Sequence, residues 1–126
     1  MISATRTRYQ EYLASEERRQ VDARTRRLSP NAVFTTDASQ KPLANMLRRA
    51  LWKNKTGDTE EANSLLNRAM DLAPDYIEVH RVRGFIESTR GNLDSATRSY
   101  ERALELASGE DKARVAYYYS GHLVKG

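Results

Sequence analysis

The side chains that most often carry out chemistry are sparse in this chain. It has no cysteine and only two histidines, His80 and His122, which are far apart in the sequence. The absence of cysteine excludes disulfides, thiolate nucleophiles and cysteine-ligated zinc or iron–sulfur centres. Asp75 and Glu78 lie near His80, but acids at the start of a helix are already expected because they compensate its dipole. We therefore expect no metal and no cofactor.

Two pairs of adjacent acidic residues occur within residues 30–126 of the sequence. They are Glu60 with Glu61, and Glu110 with Asp111. Each pair precedes a stretch with helical periodicity, where carboxylates favour the first turn. The sequence also lacks the motifs HExxH, GxSxG, GxGxxG and the phosphate loop GxxxxGK[ST]. These observations predict that the chain is not an enzyme.

Positive charge is concentrated in the N-terminal arm. Residues 1–29 carry seven arginines against four acids, whereas residues 30–126 carry 14 Lys and Arg against 13 acids. Five of the arginines fall within residues 18–27, a density that can neutralise phosphates. Acids are interleaved with them, however, and no aromatic residue is present there to stack on bases. We favour a solvated helix, with docking on a further domain and nucleic-acid contact as alternatives.

The run Tyr117-Tyr118-Tyr119 is the most unusual aromatic feature. Successive residues of a helix point about 100° apart, so one face cannot bury all three rings. The resemblance to a helical-repeat family that residues 43–126 carry implies that Tyr117 packs against the preceding second helix and that Tyr118 faces the groove of the repeats as a binding anchor. The alternative is that a further helix covers one of these rings.

The composition is typical of one small globular domain. The chain has 126 residues, of which 39% are hydrophobic and 30% charged. No run of about 18 apolar residues is present, and the N-terminus has no apolar segment of the kind found in secretory signals. We expect a cytoplasmic protein without membrane association.

The chain matches itself at an offset of about 34 residues, which indicates an array of helical hairpins. The offset is constant over small and apolar positions alike. It aligns Gly57 with Gly91, Ala62 with Ala96, Leu66 with Tyr100, Ala69 with Ala103 and Leu72 with Leu106.

Each repeat is predicted to contain two helices joined by a glycine turn. In the first, a helix over 44–52 is followed by a turn at 56–58, and Asp58 caps the second helix with Glu61 as its capping-box partner. In the second, helices cover 77–89 and 93–107, and Asp75 with Glu78 is expected to repeat the capping device.

These elements predict the organisation of the whole chain. A charged helix occupies residues 1–29, and an extended linker occupies 30–41, with Val33 and Phe34 expected to dock on the first repeat. The repeats then occupy about 43–76 and 77–110, followed by a partial unit at 111–126.

At this point the residues resemble the tetratricopeptide repeat. The pattern Ala62-x-x-x-Leu66, with Ala69 and Pro74, is similar to the second half of such a repeat, and Ala96-x-x-x-Tyr100 with Ala103 is similar to the next. Gly84 falls where the first helix of the family usually carries glycine. The resemblance implies an all-α fold, a short right-handed superhelical solenoid of helix–turn–helix repeats, here preceded by a linker helix.

The resemblance also implies a groove, lined by the first helix of each unit, that binds a peptide or a helix of a protein partner. The places where one subclass binds acidic C-terminal tails hold Leu47, Leu51, Val82, Val115 and Tyr119, so that carboxylate clamp is absent. We expect a protein-interaction or scaffolding module. The family register places in the groove Leu47, Leu51, Asn54, Lys55, Glu78, Arg81, Phe85, Ser88, Tyr118 and His122.

A second resemblance concerns a larger context. A charged helix, the Ser29-Pro30 linker and the run from Ala73 to Val82 look like the helical segment that follows the ATPase core in bacterial STAND-type signalling ATPases. This resemblance implies an alternative role as a regulatory or sensor arm, docked on a larger parent protein. Self-association through the partial third unit is a further expectation.

Overall fold

Helices account for nearly all of the described structure. A computed structural model describes residues 32–35 and 38–125. Within them a single turn of 3-10 helix, Ala38–Gln40, precedes five α-helices and no strand is present, so the all-α prediction is confirmed. The predicted N-terminal helix lies outside the described residues. The helices are α1 (Lys41–Lys55), α2 (Thr59–Leu72), α3 (Ile77–Thr89), α4 (Leu93–Leu106) and α5 (Gly109–Lys125).

The chain divides into two compact units, Met1–Ala32 and Val33–Gly126. The second unit contains all five helices. It begins inside the stretch predicted as an extended linker, because the Val33 side chain is buried in the hydrophobic core of this unit. The predicted docking of Val33 on the first repeat is therefore present in the structure.

The turns between paired helices both contain a glycine with a positive φ angle. Gly57 ends the α1–α2 turn with a φ of +91°, and Gly91 occupies the aligned place in the α3–α4 turn with a φ of +80°. Such angles favour glycine because a β-carbon is strained there. The Asp58 side chain accepts a hydrogen bond from the Glu61 backbone N–H at 3.2 Å, as the capping pattern predicts.

The start of α3 differs from the prediction. Tyr76, not Asp75, is the N-cap residue, and it makes no capping hydrogen bond with its side chain. Glu78 is buried with only 1% of its surface exposed and pairs with arginines instead of the helix terminus. The preceding turn is held differently, because His80 Nε2 donates to the Pro74 carbonyl oxygen at 2.7 Å.

The odd-numbered helices pack on one another in chain order. Each helix packs on the next in sequence, α1 also packs on α3, and α3 also packs on α5. Among these five helices, α2 does not contact α4 and α1 does not contact α5. Among the described helices, each even-numbered helix therefore packs only on the two odd-numbered helices next to it in the chain.

The small residues that recur at the 34-residue offset in the even-numbered helices are buried. Ala62, Ala69, Ala96 and Ala103 are fully buried. Small side chains let helix axes approach, which explains why the alanines recur at the 34-residue offset. The core cluster comprises Val33, Ala44, Leu47, Ala50, Leu51, Leu66, Ala69, Val79, Val82 and Ile86.

The outer side of α5 is apolar and uncovered. Tyr117, Leu123 and Val124 each expose more than half of their surface. The only charged residue between positions 113 and 124 is Arg114, whose side chain is mostly buried in ion pairs. None of the described helices is long and apolar enough to cross a membrane.

Candidate functional site

Val33 and Phe34, which belong to no helix, contact α1, α5 and the residue that precedes α3. We call them the extended pair, because the sequence predicts an extended linker there. The Val33 carbonyl oxygen accepts a hydrogen bond from Arg48 Nη2 in α1 at 3.1 Å. The Phe34 carbonyl oxygen accepts one from the hydroxyl of Tyr76, which precedes α3. The Phe34 ring centroid lies 4.3 Å from the guanidinium carbon of Arg114 in α5. We call the surface that carries Arg48, Tyr76 and Arg114 the odd-helix face.

The phenol of Tyr76 is a stable hydrogen-bond donor at this face. Burial, reinforced by the negative charge of Glu78, raises the pKa of Tyr76 from 10.0 to about 12. The hydroxyl therefore keeps its proton throughout the neutral range and can donate to a main-chain carbonyl.

A buried carboxylate organises the arginines of the face. Glu78 Oε2 pairs with Arg81 Nε in the same helix, and Glu78 Oε1 pairs with Arg114 Nη2 in α5. Arg114 Nη1 also donates to Asp111 Oδ1 at 2.9 Å. Two acids and two bases thus balance in charge, which offsets the desolvation of the ions. We call these four residues the Glu78 cluster.

Each guanidinium of the Glu78 cluster is covered by an aromatic ring. The guanidinium carbon of Arg81 lies 4.3 Å from the ring centroid of Tyr118, the same separation as between Arg114 and Phe34. Both distances are well inside the range of cation–π attraction. One carboxylate therefore positions two arginine–aromatic stacks, and one of these stacks includes the extended pair.

His122 ties three helices together at the other end of α5. Its Nδ1 lies 3.0 Å from Ser88 Oγ in α3, and its Nε2 lies 2.8 Å from Thr97 Oγ1 in α4. The ring is buried and lies 5.6 Å from the ring of Tyr100, centroid to centroid. Because both ring nitrogens have hydroxyl partners, the geometry gives His122 a structural role.

The tyrosine run is rotated relative to the prediction. Tyr117 is 51% exposed, whereas Tyr118 is only 8% exposed. Tyr119 contacts the preceding second helix, with its ring 5.5 Å from that of Tyr100 in α4. Thus Tyr119 and not Tyr117 packs on α4, and Tyr118 is a buried stacking partner, not an exposed anchor. The rotation follows the buried stripe of α5, which includes Val115, Tyr118 and His122.

The residues predicted to line the groove lie in several environments. Most of them are buried, and direct side-chain contacts connect those of α3 with those of α5. Leu47 and Leu51 are in the core cluster, and Phe85 packs against it. Glu78 and Arg81 belong to the Glu78 cluster, and Tyr118 stacks on Arg81. Ser88 and His122 form a hydrogen-bonded pair, whereas Asn54 and the exposed Lys55 lie near the end of α1.

Asn54 has a definite structural task at that end. Its Oδ1 accepts from Arg90 Nε at 3.0 Å, and its Nδ2 donates to Thr89 Oγ1 at 3.0 Å. These bonds connect the end of α1 to the end of α3.

The residues that hold the extended pair were not predicted from the sequence. Arg48, Tyr76 and Arg114 lie at unremarkable places in the repeat pattern. One signal was available, because Glu78 and Arg81 are three residues apart in α3, on either side of the apolar Val79 and next to Val82. A charge pair on a buried helix face requires partners, and that requirement points to further charged residues nearby.

No metal-binding group is present in the part of the chain that the structure describes, where His, Cys, Asp and Glu side chains form no cluster of three. The basic stretch proposed for nucleic-acid contact, residues 18–27, lies outside the described residues. No protein-family model, curated protein or solved structure matches the chain. Function is therefore inferred from the odd-helix face.

Proposed function

We propose that this chain is a protein–protein interaction module, a short right-handed solenoid of tetratricopeptide-like repeats whose odd-helix face binds an extended peptide of a partner protein. The observation that carries this proposal is the seating of Val33 and Phe34. Both of their carbonyl groups accept hydrogen bonds from side chains of the face. Every peptide has such carbonyls, so Arg48 and Tyr76 can hold an extended backbone of any sequence.

The donors of the face are held in place before any partner arrives. Arg48 Nη1 donates to Asn45 Oδ1 at 2.9 Å, one turn away in α1. Arg114 is fixed by Glu78 and Asp111. Preorganised donors lose little conformational entropy on binding, which favours a binding surface over a merely solvated one.

Several features of the fold support the solenoid arrangement. The glycine turns recur at aligned positions, the buried alanines recur with them, and the odd-numbered helices pack on one another in order. In repeat proteins of this kind each unit packs chiefly on its neighbours, and one set of helices forms the binding surface.

The proposal is tested by panning a random peptide library, displayed on phage, against the full chain. We expect peptides to be enriched on the wild type and lost on the double variant Arg48→Met, Tyr76→Phe, which removes both donors and keeps the apolar parts of the side chains. The matched control is Arg49→Met with Tyr117→Phe, since both of these residues are exposed. Enrichment that survives the loss of both donors, or no enrichment at all, contradicts the proposal.

A further inference from the structure

We infer that the odd-helix face selects a β-branched aliphatic residue followed by an aromatic residue, and that the chain's own Val33 and Phe34 occupy this site in competition with a partner. The inference rests on the proposed function, because it specifies the peptide that the same face binds. It adds the chemistry of the two side chains to the main-chain contacts already described.

The first position of the site requires a compact apolar side chain. Val33 is buried and belongs to the same cluster as Leu47, Leu51 and Val82. A charged side chain there would lose its hydration without gaining a partner among these apolar residues. A much larger side chain would overpack a cluster that is already filled. Valine, or isoleucine with one more methylene, fits this description.

The second position selects an aromatic ring through Arg114. The guanidinium lies 4.3 Å from the Phe34 ring centroid, and its ion pairs with Glu78 and Asp111 prevent it from turning away. A planar cation fixed in this way attracts the face of a ring and gains less from an aliphatic side chain. The Phe34 ring is 40% exposed, so this position leaves room for the larger rings of tyrosine and tryptophan.

Occupation by the chain's own residues sets the affinity that a partner can reach. A segment tethered close to its site has an effective concentration in about the millimolar range. A peptide added in trans must displace it, so the apparent dissociation constant rises as the fraction of open sites falls. Weakening the contact between Phe34 and the odd-helix face should therefore strengthen the binding of a peptide added in trans.

The test uses the full chain and a fluorescent octapeptide with the sequence of residues 30–37, Pro-Asn-Ala-Val-Phe-Thr-Thr-Asp, followed by anisotropy. We expect Phe34→Ala to lower the apparent dissociation constant of this peptide by about tenfold or more relative to the wild type. Leu72→Ala, which removes another exposed apolar side chain, in α2, is the matched control and should leave the constant unchanged. Because Phe34 lies outside the helices, circular dichroism should show the same helical content in all three proteins.

A second arm tests the order of the two side chains. An octapeptide of identical composition, with Val and Phe exchanged, should bind the Phe34→Ala protein at least about tenfold more weakly than the original octapeptide does. Equal binding of both peptides overturns the inference, as does an unchanged constant in Phe34→Ala. If library peptides bind through Arg48 and Tyr76 while the Val-Phe peptide does not, the selectivity is wrong and the binding function stands. If neither kind of peptide binds, both proposals fail.

Discussion

The ring of Tyr100 in α4 lies directly against Gly84 in α3, so closely that a β-carbon built on Gly84 would be 2.9 Å from Tyr100 Cδ2. Tyr100 is almost fully buried and has no room to retreat. We expect Gly84→Ala to destabilise the protein by about 1–3 kcal/mol, because overpacking outweighs the helix propensity that alanine adds. Chemical denaturation measures this change. Gly121→Ala in α5 is the control, since its β-carbon meets nothing within 4 Å and should stabilise by about 0.5–1 kcal/mol.

The buried alanines of the even-numbered helices give a second prediction. Ala96→Leu should destabilise by roughly 1–3 kcal/mol, because no space is left at its helix contact. The same substitution at the exposed Ala116 should cost much less. Ser99 in α4 is buried and is unsuitable as this control. Equal melting temperatures for the two leucine variants would contradict the packing of α4.

The Glu78 cluster predicts a large penalty for removing one charge. Glu78→Gln leaves two buried or nearly buried arginines without their shared carboxylate, which should cost about 3–5 kcal/mol in unfolding free energy. Glu105→Gln removes one of the two acidic partners of the exposed Arg102 and should cost less than about 1 kcal/mol. Denaturation midpoints for the two variants provide the comparison, and similar losses would show that the Glu78 cluster contributes no more than a surface pair.

The pKa of Tyr76 predicts a stability change at alkaline pH. The pKa of about 12 in the folded protein exceeds the ordinary value of 10.0. Between these two pH values the folded state therefore retains a proton that the unfolded state releases. The stabilisation from this phenol is complete below pH 10 and is lost as the pH rises to about 12. Burial raises the pKa values of Tyr100 and Tyr118 in the same direction. Ultraviolet titration should show a phenol near 12 that is missing in Tyr76→Phe.

The uncovered apolar side of α5 predicts self-association at high concentration. Tyr117, Leu123 and Val124 form an exposed apolar surface, and such surfaces tend to be covered by a partner. We expect light scattering of the full chain to show a mass that rises with concentration, and Leu123→Glu to reduce it. Ser64→Glu on the exposed side of α2 is the control. A constant monomer mass for the wild type would contradict this prediction.

The helices themselves were predictable because their signals are local. The predicted helix 77–89 coincides with α3, and Gly57 and Gly91 end the first helix of each pair, since a glycine turn and a helical apolar spacing are visible within one short window. The rotation of α5 was not, because burying Tyr118 instead of Tyr117 depends on Arg81, which is distant in sequence. The docking of Val33 was predicted. The contact of Phe34 with Arg114 was not, because these two residues are also distant in sequence.

The extended pair also connects helices that do not meet. α1 and α5 have no direct contact, yet Arg48 of α1 binds the Val33 carbonyl and Arg114 of α5 stacks on the Phe34 ring. In a linear array of repeats, fraying at one end is transmitted only from neighbour to neighbour. Val33 and Phe34 contact both the first and the last helix and so add a coupling of longer range. The amide protons of α1 and α5 should therefore exchange with deuterium in concert. When Val33 and Phe34 are displaced, α1 and α5 should exchange independently, so that binding at one face changes the cooperativity among the five helices.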